Sequence, residues 1–296
     1  MNQDPRFALV GIRPQEETRK KKISRHRNFP RCSAAVLAVL VLACLTAELW
    51  MTKDPTFLNL EHFSVAPNGE FLFGTDSLGR DIFSGILYGG RISLAIGFLS
   101  TAIATAIAIV YGAVSGLAPQ WLDTLMSRFL EAFLSVPGLL LVLFLQAILG
   151  KANVVSLSLV IGLTSWPTMA RVVRTEVRVL GESGYVVASR CMGGGFFHIL
   201  WRHLTPNFLS AILFMVVMNV RGAIATESTL SFLGLGLPLE IISWGSMLSL
   251  AEKALLSGSW WMILIPGAFL VALLLCLTNL GNYLRKASGA GQSNLG

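Results

Sequence analysis

The side chains able to do chemistry in this chain of 296 residues are few and dispersed. Its four histidines, His26, His62, His198 and His203, share no metal-binding spacing, and no H-E-x-x-H occurs. The four cysteines, Cys32, Cys44, Cys191 and Cys276, lie far apart without a C-x-x-C, which suits small apolar fillers rather than a disulfide or metal framework. G-x-S-x-G is missing, and so is G-x-x-x-x-G-K-[ST], the loop whose backbone would cradle a nucleotide's phosphates. The sequence therefore predicts a chain that is not an enzyme and holds no cofactor or metal of its own. What remains is electrostatic chemistry, carried by ionisable groups set among apolar neighbours: Asn219, Arg221 and Glu227 in one apolar run, and Asp76, Arg80 and Asp81 between glycines ahead of another.

The elements that must hold these groups are apolar enough to fix the solvent. Hydrophobic residues make up 54% of the chain, charged residues 13%, and mean hydropathy is +0.67. A soluble domain carries about 25% charged residues, so lipid is the expected surrounding. Six runs are long enough for a bilayer core, which needs about 20 mostly apolar residues per helix. They fall roughly at Ser33–Trp50, Ile92–Leu117, Phe129–Leu149, Val154–Ala170, Phe208–Thr226 and Trp260–Tyr283. The expected fold is thus an all-α polytopic membrane protein with six transmembrane helices; a β-barrel would show alternating segments instead.

The net charge of +7 is placed as a topology signal and not as a nucleic-acid footprint. Arg19, Lys20, Lys21, Lys22, Arg25, Arg27 and Arg31 crowd before the first run, a basic flank that stays in the cytoplasm. With that end inside, most of the 23 Lys and Arg fall on inner segments, among them Arg128, Arg171, Arg174, Arg178, Arg190, Arg202, Arg285 and Lys286. Both termini are then cytoplasmic. Residues 1–32 form a basic tail, 33–286 the membrane domain and 287–296 a second tail; 51–91 and 227–259 are external loops, and 171–206 is the main cytoplasmic one. No secretory signal peptide is expected, because the basic region is long and no clear A-x-A site follows.

An ionisable group inside a span is costly and becomes a functional candidate. Arg221 and Glu227 stand on different helical faces, so a pair within the helix is not expected. With Asn219 they could line a path through the membrane beside a partner subunit; alternatively, Arg221 pairs with an acid on another helix. Gly74, Thr75, Asp76, Gly79, Arg80 and Asp81 could close an external gate, touch an external protein, or cap the helix that follows. Arg128 and Glu131 are spaced for a local ion pair, and Glu252 with Lys253 reads as a solvated face.

The segment "ESGYVVASRCMGGGFFHILWRHLTPNF", Glu182–Phe208, interrupts the apolar pattern on the cytoplasmic side. Its helix formers predict a short helix over Gly184–Met192, a glycine break at Gly193–Gly195 and a second helix over Phe196–Leu204; Pro206 opens the next span, where a missing N–H costs little. Tyr185, Val186 and Ala188, near Arg190, could enter a groove on another protein, or the helix could lie on the membrane surface with its basic groups at lipid phosphates.

This segment resembles the loop of ATP-binding-cassette importer permeases, whose pattern is E-A-A, three residues, G, nine residues, I-x-L-P. Val187, Ala188 and Ser189 take the E-A-A places, Gly193 the glycine and Pro206 the proline; the glutamate is absent, and His203 and Thr205 replace Ile and Leu. "FGTDSLGRDIFSGILYGGRISL" (Phe73–Leu94) closely resembles the signature of the C-type permeases of dipeptide, oligopeptide and nickel importers, as do "LDTLMSRFLEAFLSVP", "SWPTMARVVR" and "SFLGLGLP" with "SWGSML". The resemblance runs from about Thr46 to Arg285, although "LGNYLRK" carries Asn282 and Lys286 where the family has acids.

That resemblance implies a type I importer permease fold and half of a heterodimeric pore in a bacterial inner membrane. The implied partners are a second related permease, two cytoplasmic P-loop ATPase subunits, which bind the ATP and Mg, and an external solute-binding protein. Tyr185, Ala188, Ser189, Arg190, Gly193 and Pro206 then belong to a coupling segment that docks on the ATPase. The implied cargo is a di- or oligopeptide, or nickel or a metal chelate; the spans offer few metal ligands, which favours a whole peptide or chelate. The alternative is a secondary transporter or membrane sensor without an ATPase, but the inverted duplication common in secondary carriers is absent.

Overall fold

A computed structural model describes residues 29–193, 195, 198, 202, 205–251, 254 and 258–292. The tail 1–28, Gly194, most of the expected second cytoplasmic helix (with His203 and Leu204), Glu252, Lys253 and 293–296 lie outside the described residues. Among the described residues the regular elements are helical, with one isolated bridge between Thr75 and Asp81. In chain order the α-helices are α1 (Arg31–Leu45), α2 (Ala47–Trp50), α3 (Ile82–Leu117), α4 (Gln120–Ser135), α5 (Gly138–Leu149), α6 (Val154–Gly181), α7 (Gly184–Cys191), α8 (Thr205–Phe232), α9 (Trp244–Ala251) and α10 (Trp261–Gln292), with a 3-10 turn, Leu60–His62, between α2 and α3.

Several helices depart from the runs expected of them, each for a local reason. The first run breaks at Thr46, whose hydroxyl donates to the Leu42 carbonyl at 2.7 Å. Helix α3 opens at Ile82 rather than Ile92, because Asp81 accepts from the Ser84 N–H at 2.9 Å and so caps it. Its internal Gly90 is a close approach: a Cβ there would run into Cys44 and Trp244. The third run is two helices, α4 and α5, bent by 87°. Pro137 lacks an N–H and holds Val136 extended, so the helix stops and restarts. Helix α6 starts on an Asn153–Ser156 capping box and passes through Pro167 and beyond Ala170 to Gly181; Arg171, Arg174, Glu176 and Arg178 favour the helix there, and Val173 and Val177 bury against the core.

Two helical segments, Ile82–Leu117 and Trp261–Ala287, are each long and apolar enough to cross a membrane, and the bent pair α4–α5 passes the same test together. This is compatible with six crossings. Between helices in lipid the hydrophobic effect is weak, so close van der Waals packing must hold the bundle. The central pair shows it: α3 meets α6 through buried Ala104, Ala108, Gly112 and Ala113. Around the C-terminal half of α3 a core forms with Leu130, Trp166, Met169, Val173, Val177 and Ile212. Around its N-terminal half Ile82, Ile86, Trp244, Leu273 and Leu277 do the same. Arg91 clamps α1 onto α3 by donating to the carbonyls of Cys44 and Leu45, both at 2.7 Å, and to Glu48 at 2.8 Å. The start of α1 and the end of α10 share one end of the bundle, where Asn279 donates to the Ser33 hydroxyl at 3.0 Å and Phe29 meets Tyr283 edge-on.

Candidate functional site

The sequence candidates collect at opposite ends of α3. At its C-terminal end α6 hands the chain to α7 over a tight turn, in which the Val186 and Val187 N–H groups both donate to the Ser183 carbonyl at 3.0 Å. The turn fixes which face of α7 points outward. Val186 is fully buried and joins the core beside Val173 and Val177, and Ser189 is buried with it. Tyr185, Ala188 and Met192, one turn apart, face outward. Val186 was expected on the presented face; it is turned inward because the 3.6-residue period places it with Ser189. Arg190 lies in the same helix, Gly193 ends the segment with φ +87°, and Pro206 falls in the first turn of α8.

At the same end of α3 sits an ion-pair node that the sequence reading missed. Asp123, near the start of α4, accepts from Arg174 through both carboxylate oxygens, at 2.5 and 2.6 Å. Arg178 donates to the same carboxylate at 3.2 Å, and the Ser115 hydroxyl from the end of α3 donates at 2.8 Å. One carboxylate thus ties α3, α4 and α6 together. A paired fork of this kind is geometrically specific as well as strong. The available signal was an acid opening an amphipathic helix, with two arginines four residues apart on one face of another. The Arg128–Glu131 pair forms on the surface at 3.3 Å.

At the N-terminal end of α3 the glycine-flanked segment folds inward. Thr75 is fully buried; its hydroxyl donates to the His62 carbonyl at 2.5 Å and accepts from the Val65 N–H at 2.8 Å. Gly74 lies under Trp261, whose indole donates to the Thr75 carbonyl at 3.2 Å. Gly79 has φ +73°, and a Cβ there would collide with the Asn59 backbone, so only glycine fits. Asp76 accepts from the N–H groups of Leu78 and Arg80, both at 2.8 Å. Burial nevertheless pushes its carboxyl up, against those two bonds and the Arg80 charge, which pull it down. The Arg80 guanidinium lies 3.8 Å from Asp76 and donates at 3.1 Å to the carbonyl of Leu239, in the loop between α8 and α9. Asp81 caps α3 and accepts from Thr52 and Ser84 hydroxyls at 3.0 and 2.6 Å. The segment therefore caps a helix and grips a distant loop at once.

The three polar candidates of α8 separate. Asn219 and Arg221 are half-buried, and Asn219 Nδ2 and Arg221 Nε have no hydrogen-bond partner among the described residues. No described acid pairs with Arg221. Glu227 is fully buried against serines of α3, α8 and the α9 N-terminus. No group of three His, Cys, Asp or Glu able to hold a metal occurs among the described residues.

Residues 108–288 match the family described as binding-protein-dependent transport system inner membrane component. A putative peptide permease protein of Brucella suis is 38% identical over 253 residues, covering 85% of this chain and 83% of that protein. The dipeptide transport system permease protein DppC of Bacillus subtilis is 35% identical over 229 residues, covering 77% and 71%. Among solved structures, an inward-facing form of the MetNI methionine ABC transporter superposes with a TM-score of 0.56 at 18% identity, over 69% of this chain and 96% of the matched chain.

Proposed function

Because the chain belongs to the binding-protein-dependent transport system inner membrane components, we propose that α7 is the lever through which a cytoplasmic ATPase drives it. The protein is the permease subunit of an ATP-binding-cassette importer in the peptide-transport family. Such a subunit works with an ATPase and a binding protein. The finer assembly we infer is one copy of this chain, a second related permease, two P-loop ATPase subunits that hold ATP and Mg, and an external solute-binding protein. Both termini lie in the cytoplasm in this reading, which the charge distribution and the shared end of α1 and α10 support. The cargo is a short peptide, after the names of the relatives.

The observation that carries the proposal is the pairing of an outward face on α7 with an inward anchor. Ala188 and Met192, beside the exposed Tyr185, point outward toward a partner's groove, while Val186 locks the helix to the α3–α6 core. ATPase closure would push α7, and the Asp123 node would pass that push to α3, α4 and α6 as one body. Coupling here means that the ATPase binds this face differently in its open and closed states. Asn219 and Arg221 line the path within the bilayer; normal uptake by an Arg221→Leu transporter of normal assembly would remove Arg221 from it.

The test is capture from mild detergent. Wild type should retain a P-loop ATPase, and Gly193→Asp combined with Ala188→Glu should lose it while still inserting in the membrane. Equal capture by both would overturn the assignment of α7.

A further inference from the structure

Glu227 is left over by this mechanism: a carboxylate with no exposure at all and no ion-pair partner among the described residues. Four hydroxyls surround it. Ser243 and Ser231 donate to Oε1 at 2.7 and 3.0 Å, and Ser93 and Ser228 to Oε2, both at 3.3 Å. The cage is full, since a Cβ added to Gly245 would lie 3.1 Å from Oε1.

Each hydroxyl can donate once and accept twice, and three of these serines use both capacities. Ser231 accepts from the Leu237 N–H at 3.1 Å, Ser243 from the Ser246 N–H at 3.0 Å and Ser93 from the Trp244 N–H at 3.3 Å. The carboxylate orients the hydroxyls, and the hydroxyls hold the backbone of the α8–α9 loop and the first turn of α9. Arg80 grips the same loop from the other side at the Leu239 carbonyl. Between these anchors the loop walls a cleft of about 590 Å³ lined by Lys151, Ala152, Leu239, Glu240 and Ser249.

We propose that Glu227 is a positioning residue: it holds α9 and the loop before it in the arrangement seen here, and the cleft widens only when the serine cage comes apart. The chemistry suits a lock that must open repeatedly. A carboxylate and four hydroxyls exchange their mutual bonds for bonds to water without stranding a buried counter-charge. Replacing the cage with an apolar plug would leave the loop's N–H groups unsatisfied instead. The inference rests on the transport reading only for which side of the membrane the cleft faces and for its consequence in uptake.

The experiment uses the full transporter in spheroplasts, with Cys32→Ser and Cys191→Ser removing the exposed thiols and Ser249→Cys as a reporter. A membrane-impermeant maleimide is added from outside without substrate. Labelling should be slow with Glu227 in place and about tenfold faster in Glu227→Ala, the scale of leaving a buried hydroxyl without its partner. Glu227→Gln, which keeps an acceptor, should restore most of the slow rate. Should Glu227→Ala fail to accumulate, Ser243→Ala removes only the α9 arm and should speed labelling about threefold. Equal rates in variants present at the wild-type level would overturn the lock, and so would a reporter that labels only from inside. A faster rate in a chain that captures no ATPase would keep the lock and reject the coupling reading.

Discussion

Two acids organise the ends of this bundle, and they are partnered in opposite ways. Asp123, at the α7 end, meets two arginines and one serine. Glu227, at the other end, meets four serines and no described cation. The first node is charge against charge; water reaches it through Arg178, whose side chain is 59% exposed. The second is sealed and relies on hydroxyls. A bidentate ion pair resists shear and keeps its geometry while its surroundings move, which suits a joint that transmits force. A cage of single hydroxyl bonds can be taken apart one arm at a time, which suits a closure. The difference suggests one end built to stay together and the other built to part.

The comparison breaks most visibly at Asp123. Asp123→Ala leaves Arg174 and Arg178 facing each other across a half-buried site; a fully buried broken pair costs about 3–5 kcal/mol, and partial exposure here reduces that to about 1–2 kcal/mol. Thermal unfolding in detergent should show that loss, and uptake should fall to background. The exchange Asp123→Arg with Arg174→Asp should recover part of both. A smaller effect is expected at Arg80. Arg80→Ala frees the Leu239 carbonyl and leaves Asp76 buried without its cation, costing about 1–3 kcal/mol. Uptake should drop several-fold while ATPase capture stays normal, because the change lies at the far end of α3 from α7. The smallest effect belongs to Arg128 and Glu131, whose side chains are 79% and 56% exposed. Arg128→Ala should change stability by no more than about 0.5 kcal/mol and leave uptake intact. A large effect there would show that surface charge, and not the Asp123 joint, organises the α7 end.

The first helix of the Glu182–Phe208 segment was legible in the sequence, because its signals are local. Glycines bracket a run of helix formers, and the helix expected at Gly184–Met192 forms as Gly184–Cys191. The bend between α4 and α5 was equally local, since Pro137 marks it, yet continuous hydropathy across Leu134–Leu149 conceals it. The two acid nodes were not legible for a different reason. Asp123 finds partners more than fifty residues away and Glu227 reaches Ser93 across 134 residues. A serine in an apolar helix more often bonds its own backbone, as Ser158 does to Val154, so the sequence gives no sign of which serines face an acid. The same holds for Arg80, whose partner carbonyl on Leu239 has no side-chain signature.

The division of labour between Asp123 and Glu227 can be read by setting uptake of a labelled peptide beside ATP hydrolysis, in proteoliposomes holding the whole transporter with wild-type, Asp123→Ala or Ser243→Ala permease. A joint at Asp123 and a closure at Glu227 should fail differently. Asp123→Ala should keep hydrolysing ATP while importing almost nothing, and Ser243→Ala should import with more ATP spent per peptide than wild type. If both variants lose hydrolysis and uptake in the same proportion, the two ends do not divide the work, and the account of a transmitting joint opposite a parting closure is wrong.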